Sequence, residues 1–251
     1  MGVDLNEVVL RSKEIIMKRF NPIYLLFAIA TALFSCNEED PGPRQNDQRT
    51  FSLVDFDRLE ISEAIDVTVE QGNSFRIVAS GDNRNLNDLQ VEKNGSTLRV
   101  KFNDSRNRQY TTYVTITMPV ILGLDFSGAV AGRVNGFTTA VSRFDLSLSG
   151  SSVGQLNINA DEVFAMITGA SNLRVNGAGK KIQASVSGAS KFTAFEYPVD
   201  VTTLTVSGAS RAKVNTALQL NVSASGASEV LYRGTPQVEA NVTGASAVKK
   251  D

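Results

Sequence analysis

Polar and apolar residues alternate along most of the second half of the chain. Leu146 and Leu148 share one face, as do Ala165 with Ile167, and Ile182 with Ala184 and Val186. Leu204 and Val206 continue the series, then Leu218, Leu220, Val222 and Ala224, then Val238, Ala240 and Val242. The positions between them are mostly Ser, Thr, Asn, Gln, Asp or Glu. A period of two predicts strands with one buried face, because successive side chains of a strand leave on opposite sides. No stretch in this half carries a helical period.

One short motif recurs after these segments. It reads Ser127-Gly128-Ala129, Ser149-Gly150-Ser151, Thr168-Gly169-Ala170-Ser171 and Ser187-Gly188-Ala189-Ser190. It continues as Ser207-Gly208-Ala209-Ser210, Ser225-Gly226-Ala227-Ser228 and Thr243-Gly244-Ala245-Ser246. The glycines of these seven copies are spaced by 22, 19, 19, 20, 18 and 18 residues. A shorter apolar segment follows the turns, as in Leu173-Arg174-Val175, Phe192-Thr193-Ala194, Ala212-Lys213-Val214 and Val230-Leu231-Tyr232. Strands that recur at one period with no helix between them stack in parallel, one coil per repeat. The pattern therefore predicts an all-β fold, a single-stranded right-handed parallel β-helix of about 18–22 residues per coil.

The motif has a structural reason. A sharp corner with positive φ suits glycine, which makes Gly128, Gly150, Gly169, Gly188, Gly208, Gly226 and Gly244 the turn glycines of the stack. The alanine after each is expected to face inward, and the flanking Ser or Thr to bond the local backbone or its counterpart in the next coil. A ligand-binding rail of hydroxyls is the alternative reading.

Residues 51–120 lack the glycine motif and form a more irregular N-terminal part of one β-helix domain over 51–251, with the repeats over 121–248. Strands are predicted at 58–61, 66–71, 75–79, 89–92, 97–102 and 113–118. Gln71-Gly72-Asn73-Ser74 and Lys93-Asn94-Gly95-Ser96 read as hairpin turns. This region is expected to add irregular coils or an antiparallel cap, since a bare terminal coil exposes a pairing edge. At the other end Lys249-Lys250-Asp251 closes the chain with charge, unless another subunit covers the last coil.

The first 50 residues differ in kind. Residues 23–33 form an apolar run of eleven preceded by Lys18 and Arg19. That is short of the roughly 20 residues a membrane-spanning helix needs, and reads as the core of a secretory signal. Leu33-Phe34-Ser35-Cys36 resembles the lipobox of bacterial lipoproteins, which makes Cys36 the lipidation site. An ordinary signal peptide with an incidental cysteine is the alternative. Residues 1–16 carry Asp4, Glu7 and Glu14 where a signal is basic, so translation is expected to start at Met17 and the signal to span 17–35. Residues 36–50 are polar and turn-rich, a flexible tether. The acidic run Asn37-Glu38-Glu39-Asp40 resembles the export tag of surface lipoproteins of Bacteroidetes, with plain solvation of a linker as the other reading.

Composition removes whole classes of chemistry. With 42% apolar and 20% charged residues the chain is made to fold, and its formal charge of −1 recruits neither nucleic acid nor anionic lipid globally. There is no histidine and no tryptophan, and Cys36 is the single cysteine. Histidine triads, histidine metal sites and intramolecular disulfides are thereby excluded. The solenoid carboxylates Asp145, Asp161, Glu162, Glu196, Asp200, Glu229 and Glu239 are scattered, without a pair placed for glycoside hydrolysis or a cluster suited to calcium. No catalytic residue, cofactor or metal is expected.

Phe56-Asp57-Arg58-Leu59-Glu60-Ile61, then Ile65-Asp66-Val67-Thr68-Val69-Glu70-Gln71-Gly72, Val78-Ala79-Ser80-Gly81-Asp82 and the late Ser-Gly-Ala-Ser series together resemble a known family. It is the putative auto-transporter adhesin domain called head GIN, abundant in Bacteroidetes, and the resemblance covers roughly residues 50–248. It implies a right-handed parallel β-helix in a secreted or envelope protein and offers no catalytic residues to carry over.

For binding, Phe195 and Tyr197 lie in a segment that lengthens its coil to 20 residues and are the candidate ligand contacts, read as a loop. Phe192 and Tyr232 fall at core positions. Lys180, Lys181, Lys191, Arg211 and Lys213 form either a basic stripe facing anionic glycans or a solvated face. The sequence thus reads as a non-catalytic binding or adhesion module, lipid-anchored in the outer membrane and periplasmic or surface-exposed, with a glycan or surface protein as partner and homo-oligomerisation open. A structural spacer or self-associating component is the alternative, and a polysaccharide-active enzyme the third reading.

Overall fold

A computed structural model describes residues 42–251; the upstream segment 1–16, the signal at 17–35 and Cys36 lie outside the described residues. The chain forms β1 (Asn46–Phe51), β2 (Arg58–Ser62), β3 (Ile65–Gln71), β4 (Arg76–Asp82), a short helix α1 (Asn83–Asp88), β5 (Leu89–Asn94), β6 (Thr97–Phe102), β7 (Thr112–Met118) and β8 (Gly123–Ser127). It continues with β9 (Ala131–Leu148), β10 (Val153–Ile167), β11 (Asn172–Ala178), β12 (Lys181–Val186), β13 (Lys191–Val206), β14 (Arg211–Ala224), β15 (Glu229–Arg233), β16 (Gln237–Val242) and β17 (Ala247–Lys250).

These strands stack as a parallel β-solenoid with two faces. Face A collects the strands that follow each turn: β3, the first halves of β9 and β10, β11, the first halves of β13 and β14, then β15 and β17. Face B collects those that precede it: β2, β8, the second halves of β9 and β10, β12, the second halves of β13 and β14, then β16. β9, β10, β13 and β14 run through the bend between the faces without ending, so the short strand after a turn and the longer one before the next are often one element. Alternate Val, Ile, Leu, Phe and Ala from both faces form one continuous core. The parallel solenoid that the period implies is the fold observed.

The turn copies stack on one another. All seven glycines have positive φ, from +68° to +80°. Position Gly188 shows why the residue is needed beyond φ alone: a Cβ there would lie 2.4 Å from the Gly169 carbonyl oxygen of the preceding coil. That same carbonyl accepts the Ala189 N–H at 2.8 Å, so neither coil can move apart without losing a ladder bond. The inward residue of the turn is the serine after the alanine, not the alanine. Ser152, Ser171, Ser190, Ser210 and Ser228 are buried, while Ala170, Ala189, Ala209 and Ala227 face solvent. Pleating explains the correction, because the serine lies two positions before the first apolar core residue of the next strand and so shares its side. Several of these hydroxyls bond between coils, as in Ser210 Oγ to the Gly188 carbonyl at 3.2 Å and Ser228 Oγ to Ser246 Oγ at 3.1 Å.

The N-terminal coils are threaded out of order. β2 lies between β6 and β8, and β3 between β7 and β9, all parallel. β4 is antiparallel to β7 and does not pair with β3. Gln71-Gly72-Asn73-Ser74 is therefore not a hairpin turn: β7 returns to occupy the slot beside β3 that a hairpin would have filled. Lys93-Asn94-Gly95-Ser96 does close the β5–β6 hairpin. Residues 46–50, expected as the end of a tether, form most of β1 instead, which pairs antiparallel with β4 from Asn46↔Asp82 to Phe51↔Ile77. β1, β4, β5 and α1 thus cap this end, with Leu86 of α1 fully buried. At the other end β16 pairs only with β14 and β17 only with β15, and every residue of β16 is exposed.

Candidate functional site

Two outer surfaces follow from the alternation. On face B the strands leave a groove of about 590 Å³ that crosses the coils from Arg58 and Thr97 to Thr203 and Thr205. A shallower depression of about 430 Å³ shares Thr203 and Thr205 and continues to Glu239 and Asn241. Strand register sets its outward residues in columns, one per coil. One column runs Glu60, Asp125, Ser147, Met166, Ser185, Thr205, Ser223, Asn241. Its neighbour runs Gly123, Asp145, Phe164, Gln183, Thr203, Asn221 and Glu239. Met166 is 57% exposed, a polarizable apolar side chain among hydroxyls and amides.

Charge concentrates at the N-terminal end of the groove. The Arg58 guanidinium lies over Gly123, where a Cβ would come 2.5 Å from Arg58 Nη1, and donates to Asp145 Oδ2 at 3.0 Å. Arg143 donates to the other Asp145 oxygen at 2.7 Å and covers the Phe164 ring at 3.8 Å. Burial raises the Asp145 pKa, but the hydrogen bonds from Arg143 and Arg58 outweigh it and hold the carboxyl below its usual range. Glu60 accepts from Arg99 at 2.9 Å. Asp125, beside Glu60 in register, has its pKa raised by desolvation and by the Glu60 charge against a hydrogen bond from Ser147.

The sequence missed this carboxylate pair because Glu60 belongs to the irregular N-terminal region, where no repeat phase aligns it with Asp125. Glu60 and Asp125 lie on adjacent strands of one sheet, roughly 4.8 Å apart along the stack, and point the same way. Hydrolysis places its carboxylates on the two sides of a glycosidic bond, whereas these two rise side by side from one sheet. Among the described residues no group of three or more Cys, Asp or Glu is placed to hold a metal ion.

Face A carries Lys191, Arg211 and Lys213 of the expected basic stripe. Lys191 and Arg211 are register neighbours, and Thr193 and Lys213 follow beside them. Lys180 and Lys181 do not join this stripe: Lys180 pairs with Asp161 at 3.1 Å and Lys181 is the register neighbour of Glu162, at the bend between the faces.

Phe195 and Tyr197 are not in a loop. They belong to a bulge inside β13, where the register steps from Ala194↔Val214 to Pro198↔Asn215. Phe195 is half-buried, with the Arg233 guanidinium 4.0 Å and the Lys213 ammonium 5.4 Å from its ring centroid. Tyr197 is 0% exposed, so its reading as a ligand contact is corrected: the bulge turns the ring into the core. Phe192 is a core residue and Tyr232 packs partly buried against the core.

The chain matches the family model "Putative auto-transporter adhesin, head GIN domain" over residues 55–236. No curated protein matches it. A crystal structure of a putative adhesin from Bacteroides fragilis superimposes with a TM-score of 0.76 at 15% identity, covering 83% of this chain and 98% of that one. A putative adhesin from Parabacteroides distasonis gives 0.66 at 19% identity, covering 84% and 98%. A putative lipid binding protein from the same organism gives 0.66 at 17% identity, covering 82% and 96%. These likenesses show a shared fold, and the match over residues 55–236 shows the family: the chain belongs to the putative auto-transporter adhesins with a head GIN domain.

Proposed function

We propose that this protein is a non-catalytic binding or adhesion module of the cell envelope, held to the outer membrane through Cys36, and that it takes a glycan along the face B groove. The observation that carries this reading is the groove itself. It presents Ser147 in one coil, Phe164 and Met166 in the next, then Gln183 with Ser185 and Thr203 with Thr205 in the two after. Strands step by roughly 4.8 Å along the stack, close to the length of one pyranose unit. Hydroxyls and amides at that step match sugar hydroxyls, while apolar side chains cover sugar C–H faces. Membership of an adhesin family supports a binding role, and the side-by-side placement of Glu60 and Asp125 supports the absence of hydrolysis.

The test is a polysaccharide array read for both retained protein and released oligosaccharide. Retention without release is expected, and Met166→Ala with Gln183→Ala is expected to abolish retention on neutral glycans. Released oligosaccharide would make the protein an enzyme, and no retention of any glycan would leave the spacer reading in its place. For the anchor, Cys36→Ala is expected to lose incorporated palmitate, and unchanged incorporation would refute lipidation at that residue.

A further inference from the structure

We propose that the outer surface of face A is a second binding site, for a linear anionic polysaccharide that carries its charge on every second sugar. One outward column of this face places Arg133, Arg174, Lys213 and Lys249 at alternate coils, with an uncharged residue in each coil between. The next column adds Lys191 in the coil between the middle two and Arg211 beside Lys213. Outward positions of the paired segments 172–174, 191–193 and 211–213 hold no carboxylate. Of the carboxylates beside these columns, Glu229 pairs with Arg211 at 2.6 Å and Asp66 with Arg133 at 3.4 Å. Arg174 and Lys191 are exposed and make no ion pair among the described residues. Net charge hides this surface, because the chain's 25 basic residues are matched by 26 acidic ones.

The spacing selects the polymer. Two coils span roughly 9.6 Å, close to one disaccharide, so a chain lying along the stack would meet a cation wherever it presents an acid. A lipid surface or an acidic globular protein would use the same cations without needing that interval. Phe195 borders the patch and holds the Lys213 and Arg233 cations against its ring, which keeps Lys213 on the column.

Binding of the purified protein to hyaluronan, which has one carboxylate per disaccharide, tests this. Dextran is the neutral control, oligogalacturonate carries a carboxylate on every sugar, and phosphatidylglycerol vesicles present a lipid surface. Hyaluronan is expected to bind, to weaken with salt, and to lose about tenfold or more in affinity in Arg174→Ser with Lys213→Ser. Both side chains are outward, so the thermal midpoint should stay in place, and Lys191→Ser alone should give a smaller loss. Met166→Ala with Gln183→Ala, which removes the glycan contacts of the other face, should leave hyaluronan binding unchanged, which separates this site from the face B reading. No binding to hyaluronan, or undiminished binding by the double variant, would overturn the proposal. So would equal or tighter binding of oligogalacturonate, or binding confined to the vesicles.

Discussion

The hydroxyl of Tyr197 bridges both backbone groups of Ala160, accepting from its N–H at 3.1 Å and donating to its carbonyl at 2.9 Å. The two residues are two coils apart. In the coil between them β11 ends at Ala178 and β12 begins at Lys181, so no ladder partner is offered to Ala160 there. Gly179 fills that gap, and a Cβ on it would lie 2.3 Å from the Ala160 carbonyl oxygen and 2.7 Å from the Tyr197 hydroxyl. The β13 bulge thus reaches back across a break in the ladder. Tyr197→Phe would orphan a buried N–H and a buried C=O and is expected to cost about 1–3 kcal/mol in urea unfolding. Gly179→Ala is expected to cost at least as much, through backbone displacement. A Tyr197→Phe protein as stable as the parent would mean water reaches Ala160.

The same phenol makes the fold sensitive to alkali. Burial is the first cause of a pKa pushed from 10.0 up to about 12, with the charge of Asp161 adding to it and the hydrogen bond from the Ala160 backbone opposing it. The folded state favours the neutral ring, so this stabilisation is complete below the unfolded value near 10 and is lost as pH rises toward 12. Stability measured across that window should fall more steeply in the parent than in Tyr197→Phe. Parallel curves would remove Tyr197 as the cause.

Positive φ and coil stacking make separable demands on glycine. Gly95, at the β5–β6 turn, has φ +59° and open space for 4 Å around the position of a Cβ, whereas Gly188 has φ +80° with a backbone oxygen at 2.4 Å. Gly95→Ala should therefore cost only the left-handed penalty, about 1–2 kcal/mol. Gly188→Ala must also push neighbouring coils apart and should cost more than about 4 kcal/mol or prevent folding. Urea midpoints of the two variants compare them directly, and equal losses would mean that the turn conformation alone requires glycine.

Much of this architecture is legible in the sequence, because a solenoid writes its period into residue spacing. Face alternation, the turn glycines and the parallel stack all follow from local pattern. What escaped was the product of long-range threading. Ser62-Glu63-Ala64 is the first member of the turn stack, with Glu63 at φ 69° and its N–H donating to the Ser127 carbonyl. No glycine marks it, since no earlier copy of the turn motif precedes it in the chain. The placement of β6 and β7 outside β2 and β3 likewise leaves no local trace, and it is β2 that brings Glu60 beside Asp125. Tyr197 reads as a surface aromatic because its segment breaks the alternation, whereas the break is what lets it enter the core.

Thr202 and Thr216 place two hydroxyls 2.6 Å apart in the core, each residue 0% exposed. One hydroxyl donates to the other across neighbouring strands. Replacing one by valine keeps the shape but leaves the other hydroxyl unpaired, at about 1–3 kcal/mol. The double variant Thr202→Val with Thr216→Val should recover most of that loss, since both polar groups are gone. Additive single losses would show that the pair is not coupled.

Asp82 ties three pieces of the N-terminal cap together. It is 1% exposed, accepts the Gln45 N–H at 2.9 Å at the approach to β1, and accepts the Arg84 N–H at 3.0 Å as the N-cap of α1. The Arg84 guanidinium donates to both its oxygens at 2.8 Å. Those side-chain hydrogen bonds, and the backbone donors after them, hold its carboxyl well below the usual range although burial opposes them. A depressed folded pKa stabilises above the unfolded value of about 3.9, and that contribution drains away as pH falls below it. Asp82→Asn should therefore cost about 1–3 kcal/mol at neutral pH, with about 1 kcal/mol of the difference from the parent gone by about pH 3. Amide exchange in β1 should rise in the variant at neutral pH and in the parent only under acid. A gap between the two proteins that stays constant from neutral pH down to about pH 3 would mean that the Asp82 charge contributes nothing to the cap.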